Sequence, residues 1–129
     1  MQTTFTLTAD KSIQSAFRQH ARAILDGLDV SQRDKIFIAI NEVLQNIVRH
    51  AYKFEDNKFV EITINMEDHL LSIEIRDHAP PCHPELFLHR DHVPNEEGKM
   101  GLRIIKNCTH FFDIKPLAEG NLTSMQFKI

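Results

Sequence analysis

The chain has 129 residues, which predicts a single domain with a hydrophobic core of its own. Its 15 basic and 18 acidic side chains give a formal net charge of −3, which argues against a nucleic-acid-binding surface. Hydrophobic residues make up 42% of the sequence and charged residues 26%, a balance that excludes an intrinsically disordered chain.

The sequence does not show the patterns of a membrane-spanning segment or a secretory signal. No apolar run is long enough to span a membrane, and the first ten residues lack the basic and apolar regions of a secretory signal. Two cysteines, Cys82 and Cys108, cannot form a disulfide framework and favour a reducing compartment. We therefore expect one cytoplasmic domain over residues 1–129.

The first elements are a strand and a helix. Residues 3–8 alternate polar and apolar side chains, which predicts a short strand at an edge of a sheet. Asp10 can cap a following helix, and Gly27 lies where a left-handed residue would end it. The apolar positions of this helix recur every three to four residues: Ile13, Phe17, Ala21, Ile24 and Leu28.

A second helix and a hairpin come next. Ser31 and Asp34 have the spacing of a capping box, and the helix is predicted to run to about Lys53. Residues 60–66 and 71–76 then alternate apolar and polar side chains around a turn at 67–69. This pattern is typical of a hairpin with one buried face.

The rest of the chain contains a long loop, a helix and two strands. Four prolines exclude regular elements from 78 to about 97, a length typical of a functional or mobile loop. A short helix is predicted over 102–108, followed by strands at 111–115 and 122–129. The order predicts an α+β fold, a two-layer α/β sandwich whose mostly antiparallel mixed sheet carries its helices on one face.

A polar stripe follows the second helix. Glu42, Asn46 and His50 are four residues apart, so they lie along one slanting line beside the apolar face. A carboxylate and an amide placed there need partners, which a divalent ion and a polar ligand would supply. The alternative is a solvated edge on which Arg49 and Lys53 pair with Glu42.

Two further signals lie at the ends of regular elements. Asp77 shares the parity of Leu71, Ile73 and Ile75, so it points to the core if the strand continues, and starts a turn if the strand ends at Arg76. An inward carboxylate would need a donor, from the protein or from a ligand amine.

The second of these signals is rich in glycine. Gly98 and Gly101 flank Lys99 and Met100 where the loop meets a helix. Glycines at such a junction let backbone N–H groups approach an anion, although they are equally compatible with an ordinary helix start.

Taken in order, these motifs resemble the Bergerat (GHKL) ATP-binding fold, and within it the small anti-sigma factor serine/threonine-protein kinases of bacteria. The resemblance covers nearly the whole chain. It is carried by three boxes and a closing strand pair: Glu42-x3-Asn46-x3-His50-Ala51-Tyr52, Ile75-Arg76-Asp77-His78-Ala79-Pro80-Pro81, Gly98-Lys99-Met100-Gly101-Leu102, and Phe112-Asp113-Ile114 with Gly120-Asn121.

The resemblance implies a role for each matching residue. Asn46 would coordinate Mg²⁺ on the phosphates of ATP, Glu42 would act as the catalytic base, and Asp77 would accept a hydrogen bond from the adenine amine. Gly98 and Gly101 would bind the phosphates from a lid spanning about 78–100. The other residues implied to bind nucleotide are His50, Ala79, Lys99, Met100 and Leu102.

The resemblance also implies partners. The substrate would be a serine or threonine of an anti-anti-sigma (STAS-domain) protein, a sigma factor would be sequestered directly, and members of the family are often homodimers. Ala79 stands where the family usually has glycine, and Lys99 interrupts the glycine pair. Two alternatives therefore stay open: a non-catalytic partner-binding module on the same fold, and the ATP-binding domain of a sensor histidine kinase.

A third alternative is a metal-binding protein, because histidines and a cysteine crowd the predicted loop. Imidazole and thiolate groups bind Zn²⁺, but neighbouring ligands rarely reach one ion together and no Cys-x2-Cys pair is present. Solvated histidines are the expected outcome. The residues concerned are His78, Cys82, His83, His89 and His92.

Overall fold

The computed structural model describes residues 1–81 and 96–129, with side chains from residue 101 in the second range. The described residues form the predicted order of elements. The strands are β1 (Gln2–Thr8), β2 (Phe59–Glu67), β3 (Leu70–Asp77), β4 (Phe111–Pro116) and β5 (Asn121–Lys128). The helices are α1 (Ile13–Leu25), α2 (Val30–Asn46), which continues into a π-helical turn (Ile47–Ala51), and α3 (Glu96–Cys108).

The five strands form one sheet in the order β1-β2-β3-β5-β4. All four pairings are antiparallel, so the predicted α+β class is confirmed while the sheet itself is antiparallel rather than mixed. β1 lies at an edge, as its short alternating sequence predicts. β5 enters between β3 and β4, which places its first residue opposite the last residue of β3.

The core lies between the inner face of the sheet and the helices. Ile62, Ile64, Ile73 and Ile75 alternate along β2 and β3 and are completely buried, as is Phe17 of α1. Complete burial of such a side chain contributes roughly 1.5–3 kcal/mol. The outward positions of the same strands are polar, which is the pattern of a sheet covered by helices on one face.

The starts of the first two helices differ from the prediction. Asp10 accepts hydrogen bonds from the backbone and hydroxyl of Ser12, and α1 begins after Ser12 without a side-chain cap. The N-cap of α2 is Asp29, whose carboxylate accepts a hydrogen bond from the backbone N–H of Gln32 at 2.8 Å. The prediction of a capping box at Ser31 was therefore wrong. Asp10 thus lies two residues before the N-cap Ser12, and the N-cap Asp29 lies two residues before the predicted Ser31.

The end of α2 also differs from the prediction. The α-helix stops at Asn46, and the π-helical turn carries the chain to Ala51 instead of an α-helix running to Lys53. The backbone of Tyr52 donates to the carbonyl of Ile47, the i→i−5 bond typical of such a turn. His50 lies within this turn and is exposed.

The predicted long loop lies mostly outside the described residues. Its first residues, 78–81, follow β3 directly, and residues 82–95 are not described. The helix after it begins at Glu96, so Gly98 lies inside α3 rather than ending the loop. No helix among residues 1–81 and 96–129 has the length and apolar character needed to cross a membrane.

Two glycines have different conformational requirements. Gly27 does not adopt the left-handed conformation expected for a helix end, and a Cβ there would meet nothing within 4 Å. Gly120 has φ +93° and immediately precedes β5. A Cβ on Gly120 would lie 2.0 Å from the backbone oxygen of Asp77, so no side chain fits at this position.

We expect Gly120→Ala to lower the free energy of unfolding by about 2–3 kcal/mol, because it combines a left-handed backbone with a backbone clash. Urea denaturation of the purified protein measures the change. Gly27→Ala is the matched control and should change stability by less than about 1 kcal/mol. Equal effects of the two substitutions would show that the approach of Gly120 to Asp77 does not constrain the fold.

Candidate functional site

A buried carboxylate lies at the end of β3. Asp77 belongs to the strand, points to the core side of the sheet and is only 3% exposed. The interpretation from strand parity is therefore confirmed, and the alternative that the strand ends at Arg76 was wrong. A carboxylate at this depth requires hydrogen-bond donors, since burial of an isolated charge is strongly unfavourable.

Two donors from different parts of the chain meet this carboxylate. The backbone N–H of Ala79 and the side-chain Nδ2 of Asn121 each lie 3.0 Å from Oδ1 of Asp77. Nδ2 of Asn121 also donates to the carbonyl of Pro80 at 3.2 Å. Asn121 is the first residue of β5 and is 3% exposed, so it ties the carboxylate and the turn after β3 to the neighbouring strand.

The surroundings of Asp77 oppose its ionisation. Burial raises the pKa of this carboxyl above its ordinary value, while the hydrogen bonds from Asn121 and Ala79 and the nearby His78 act in the opposite direction. Burial is the largest of these effects. Donation to Oδ1 therefore limits an electrostatic cost that the buried position creates.

The hydroxyl of Tyr52 connects the end of the π-helical turn with the residues that follow β3. It accepts from the backbone N–H of His78 at 2.7 Å and donates to the carbonyl of Phe59 at 2.8 Å. Tyr52 is 3% exposed, so both bonds are shielded from water. The helix that carries Asn46 is thereby fixed to the strand end that carries Asp77.

The polar stripe of α2 is only partly preserved. Glu42 and Asn46 are half-buried, whereas His50 is exposed and lies in the π-helical turn. Because a π-turn holds more residues than an α-turn, His50 does not continue the line that four-residue spacing predicts. A role of His50 in nucleotide binding stays a prediction.

Glu42 lies against the glycine motif of α3. A Cβ built on Gly101 would be 3.0 Å from Oε2 of Glu42, and Gly101 is buried. A larger residue at this position would press on the carboxylate. The structure thus brings together one residue of the α2 stripe and one residue of the glycine motif.

The remaining residues of that motif are helical. Gly98, Lys99 and Met100 lie in the first turns of α3, and Leu102 is half-buried. The first backbone N–H groups of an α-helix have no intrahelical acceptor and favour anions. Phosphate binding by this segment stays a prediction.

Sequence reasoning assigned no role to Asn121, although the signal that identified Asp77 was present there too. Asn121 is a polar residue at the inward parity of β5, in register with Thr123, Met125 and Phe127. Its partner Asp77 lies 44 positions away in the sequence. Only the pairing of β3 with β5 shows that the two polar residues satisfy each other.

A cavity of about 280 Å³ lies elsewhere, between the first turns of α2 and the end of α3. Lys35, Cys108 and His110 contribute to its lining, and it contains none of the predicted site residues.

The histidine-rich stretch is described only at its first member. His78 lies 3.2 Å from Glu61, and the other members, Cys82, His83, His89 and His92, fall outside the described residues. Within the described ranges, no cluster of three metal-binding side chains is found.

Asp77→Asn should change how stability depends on pH. Because the pKa of Asp77 is raised in the folded protein, the native state binds more protons than the unfolded state just above about pH 3.9. Its contribution to stability is therefore largest at low pH and is lost as pH rises through the folded pKa. Urea denaturation between pH 4 and pH 7.5 should show wild type losing stability relative to Asp77→Asn.

The asparagine in this variant preserves an oxygen for Ala79 and Asn121, so packing is conserved. Arg76→Gln, an exposed change on the adjacent residue, is the control and should follow the wild-type pH profile. A constant difference between wild type and Asp77→Asn across this pH range would contradict the assigned shift.

Similarity to known proteins was found at the level of family and fold. The chain matches the histidine kinase-like ATPase domain family over residues 5–127. No curated protein matches it. The RsbU and RsbW domains of Rv1364c from Mycobacterium tuberculosis superpose with a TM-score of 0.72 at 18% identity, covering 99% of this chain and 32% of that one.

Two histidine kinases give further structural matches. The histidine kinase domain of a blue-light activated kinase from Erythrobacter litoralis has a TM-score of 0.61 at 14% identity, covering 95% of this chain and 64% of that one. The mycobacterial sensor histidine kinase MprB has a TM-score of 0.57 at 15% identity, with coverage of 98% and 97%.

At these identities the structural matches show a shared fold, and this chain spans about a third of the first structure. The family match extends over nearly all of the sequence and implies ATP binding. The chain therefore belongs to the histidine kinase-like ATPase domain family, with the GHKL-type fold that its motifs predict.

Proposed function

We propose that this protein is an ATP-dependent serine/threonine-protein kinase of the anti-sigma type. The observation that carries this proposal is the position of the Glu42 carboxylate, 3.0 Å from where a Cβ on Gly101 would lie, which brings a potential base to the helix that would receive the phosphates. The buried carboxylate of Asp77 would accept a hydrogen bond from the adenine amine.

The residues fit the groups that such a kinase binds. The half-buried carboxamide of Asn46 offers an oxygen, the ligand type that Mg²⁺ prefers, one helical turn from Glu42. When bound, Mg²⁺ would neutralise charge on the phosphate oxygens. Oδ1 of Asp77 receives the Ala79 N–H and the Asn121 side chain, and the Asn121 backbone also donates to this carboxyl, which as a carboxylate has about four lone-pair positions in all.

Phosphoryl transfer depends mainly on positioning and electrostatic stabilisation. In the proposed reaction, a serine or threonine oxygen of the partner forms a bond to the γ-phosphorus of ATP as the bond to the β-γ bridging oxygen breaks. Glu42 accepts the hydroxyl proton, and ADP leaves. The role of the fold is to hold Glu42 and Asn46 on one rigid helix while Asp77 binds the adenine ring of ATP.

The proposed substrate is an anti-anti-sigma protein with a STAS domain, and the second partner is a sigma factor. Two observations support this class: the motif resemblance, and the superposition on the RsbU and RsbW domains of Rv1364c. The shared fold alone is equally compatible with histidine kinases.

The sensor histidine kinase domain is the second candidate, favoured by the two histidine kinases that share the fold. A non-catalytic binding module is favoured by Ala79, whose buried methyl group occupies the turn after Asp77 where the family usually has glycine. Incubation with labelled ATP and a STAS-domain protein separates these functions, because label would appear on a partner serine, on a histidine, or nowhere.

Mg-ATP should bind with a dissociation constant in the micromolar to sub-millimolar range, about −4 to −8 kcal/mol. Titration calorimetry measures the affinity with and without Mg²⁺. Asn46→Ala should abolish the Mg²⁺-dependent part of the binding energy, because it removes the proposed oxygen ligand. Gln45→Ala, an exposed neighbour on the same helix, is the control and should bind like wild type.

Absence of heat at millimolar ATP in the wild-type protein would refute nucleotide binding. Undiminished dependence on Mg²⁺ in Asn46→Ala would show that another residue holds the ion.

Glu42→Ala should retain ATP binding, but its rate of phosphate transfer should fall at least about a hundredfold, the usual range for removal of a general base. Gly101→Ala should reduce transfer several-fold, because its methyl group would displace the Glu42 carboxylate by a few tenths of an ångström. Alanine favours the helix by about 0.5–1 kcal/mol over glycine, so stability should not fall.

Single-turnover phosphorylation of the partner protein measures transfer, and urea denaturation measures stability. Transfer at the wild-type rate in Glu42→Ala would rule out this residue as the base.

A further inference from the structure

The cavity beside the start of α2 is built from parts of the chain that the proposed ATP site does not use. It has a volume of about 280 Å³ and lies where the first turns of α2 meet the end of α3 and the end of β5. Asn121, which contacts Asp77, begins β5, whereas Phe127 lines this cavity. A rise of about 3.3 Å per residue separates Asn121 from Phe127 by about 20 Å along the strand. The cavity and the proposed ATP site therefore lie at opposite ends of β5.

Basic side chains from three elements line this cavity. Lys35 comes from α2, Lys128 from the end of β5 and His110 from the residues after α3, and no aspartate or glutamate of the described ranges lines it. Neither lysine forms an ion pair with another residue that the structure describes. The chain as a whole has a net charge of −3, so this concentration of positive charge is local. Clefts lined by charge of one sign attract ions of the opposite sign.

The other polar groups at the end of α3 do not offset this charge. Burial raises the pKa of the Cys108 thiol, and Lys35 acts in the opposite direction, so the thiol is neutral at pH 7. Thr109 donates to the carbonyl of Ile105 from its hydroxyl at 2.8 Å and from its backbone N–H at 3.1 Å. These two bonds satisfy a carbonyl at the end of α3 that would otherwise repel an anion.

The rest of the lining combines hydrogen-bond donors with an apolar surface. Ser31, Gln32 and Asn107 carry hydroxyl or amide groups that can donate to a ligand. Ile36 and Phe127 are buried and form the apolar part of the lining. Sites for small organic ligands have this composition, with apolar walls and a few polar groups that fix the orientation of the ligand. The cavity therefore fits a ligand with an anionic end and a short apolar portion.

We propose that this cavity is a second ligand site, which binds a small organic anion, either a carboxylate or a phosphate monoester. Lys35 and Lys128 pair with the anionic group from two different elements, and the apolar portion lies against Ile36 and Phe127. The site is independent of the proposed function, because none of the residues assigned to ATP lines the cavity.

The first test uses phenyl phosphate, whose ring and charged group match the two parts of the lining. Titration of the ¹⁵N-labelled protein should shift the backbone amide signals of Gln32, Asn107 and Thr109 until they saturate. The dissociation constant should be about 1–10 mM, the range expected for so small a ligand. Benzoate carries a carboxylate in place of the phosphate, so the tighter of the two probes identifies which anion the site prefers.

The second test removes the positive charges one at a time. Lys35→Gln and Lys128→Gln keep a long polar side chain and should each weaken phenyl phosphate binding about threefold, the usual value of an exposed ion pair. The double variant should weaken it about tenfold. Lys115→Gln is the matched control, because this exposed lysine of β4 lies outside the cavity, and it should bind like wild type.

Two further probes separate the two parts of the ligand. Benzyl alcohol has the ring without the charge, and inorganic phosphate has the charge without the ring. Each should bind at least about fivefold more weakly than phenyl phosphate, because each lacks one of the two contacts. Inorganic phosphate that bound as tightly as phenyl phosphate would overturn the assignment of an organic anion.

The remaining outcomes are equally distinct. Saturable shifts at the cavity that weaken in both lysine variants, but not in Lys115→Gln, support the proposed site. It is overturned by unchanged cavity signals at about 20 mM phenyl phosphate, by shifts confined to Asp77 and Asn121, or by equal affinity of wild type and the double variant. Because titration calorimetry with ATP measures the other site, either site can fail while the other stands.

Discussion

The feature on which the candidate site depends is a carboxylate placed inside the core. Asp77 occupies an inward position on β3, two residues beyond completely buried Ile75. An unpaired charge there would be unfavourable by several kcal/mol. The surrounding structure supplies the donors that make this position tolerable, and each donor requires a particular backbone arrangement.

Those arrangements connect distant parts of the chain. Antiparallel pairing of β3 with β5 places Asn121 opposite Asp77, and Gly120 allows the two strands to approach at that point. The hydroxyl of Tyr52 fixes the N–H of His78 just beyond the carboxylate. A change at Asn121, Gly120 or Tyr52 therefore alters the environment of Asp77, even though all three are distant from it in the sequence.

Much of the fold follows from periodicity in the sequence. Strand parity correctly placed Asp77 inside, and helical spacing placed Glu42 and Asn46 on one side of α2, because both inferences depend on local geometry. The helix starts were wrong because several acids and hydroxyl residues compete to cap each helix, and local sequence does not decide between them.

Other features could not be predicted for physical reasons. The π-helical turn uses the same apolar residues as an α-helix, so no spacing signal reveals it. The bond between Asn121 and Asp77 joins residues 44 positions apart and depends on which strands pair. The placement of the Glu42 carboxylate beside Gly101 depends in the same way on how α3 packs against α2.

Two residues that lower the stability of the fold distinguish a ligand site from a surface used only for docking. A buried carboxylate at Asp77 and a glycine inside a helix at Gly101 each lower stability relative to an apolar residue or alanine. Local rules are broken in this way mainly where function requires it. Both departures lie at residues of the proposed nucleotide site: one keeps a polar group inside the core, and the other keeps space beside the carboxylate of Glu42. A scaffold that only docked other proteins would gain stability from a leucine at one position and an alanine at the other, so their presence favours a protein that binds a polar ligand within the fold.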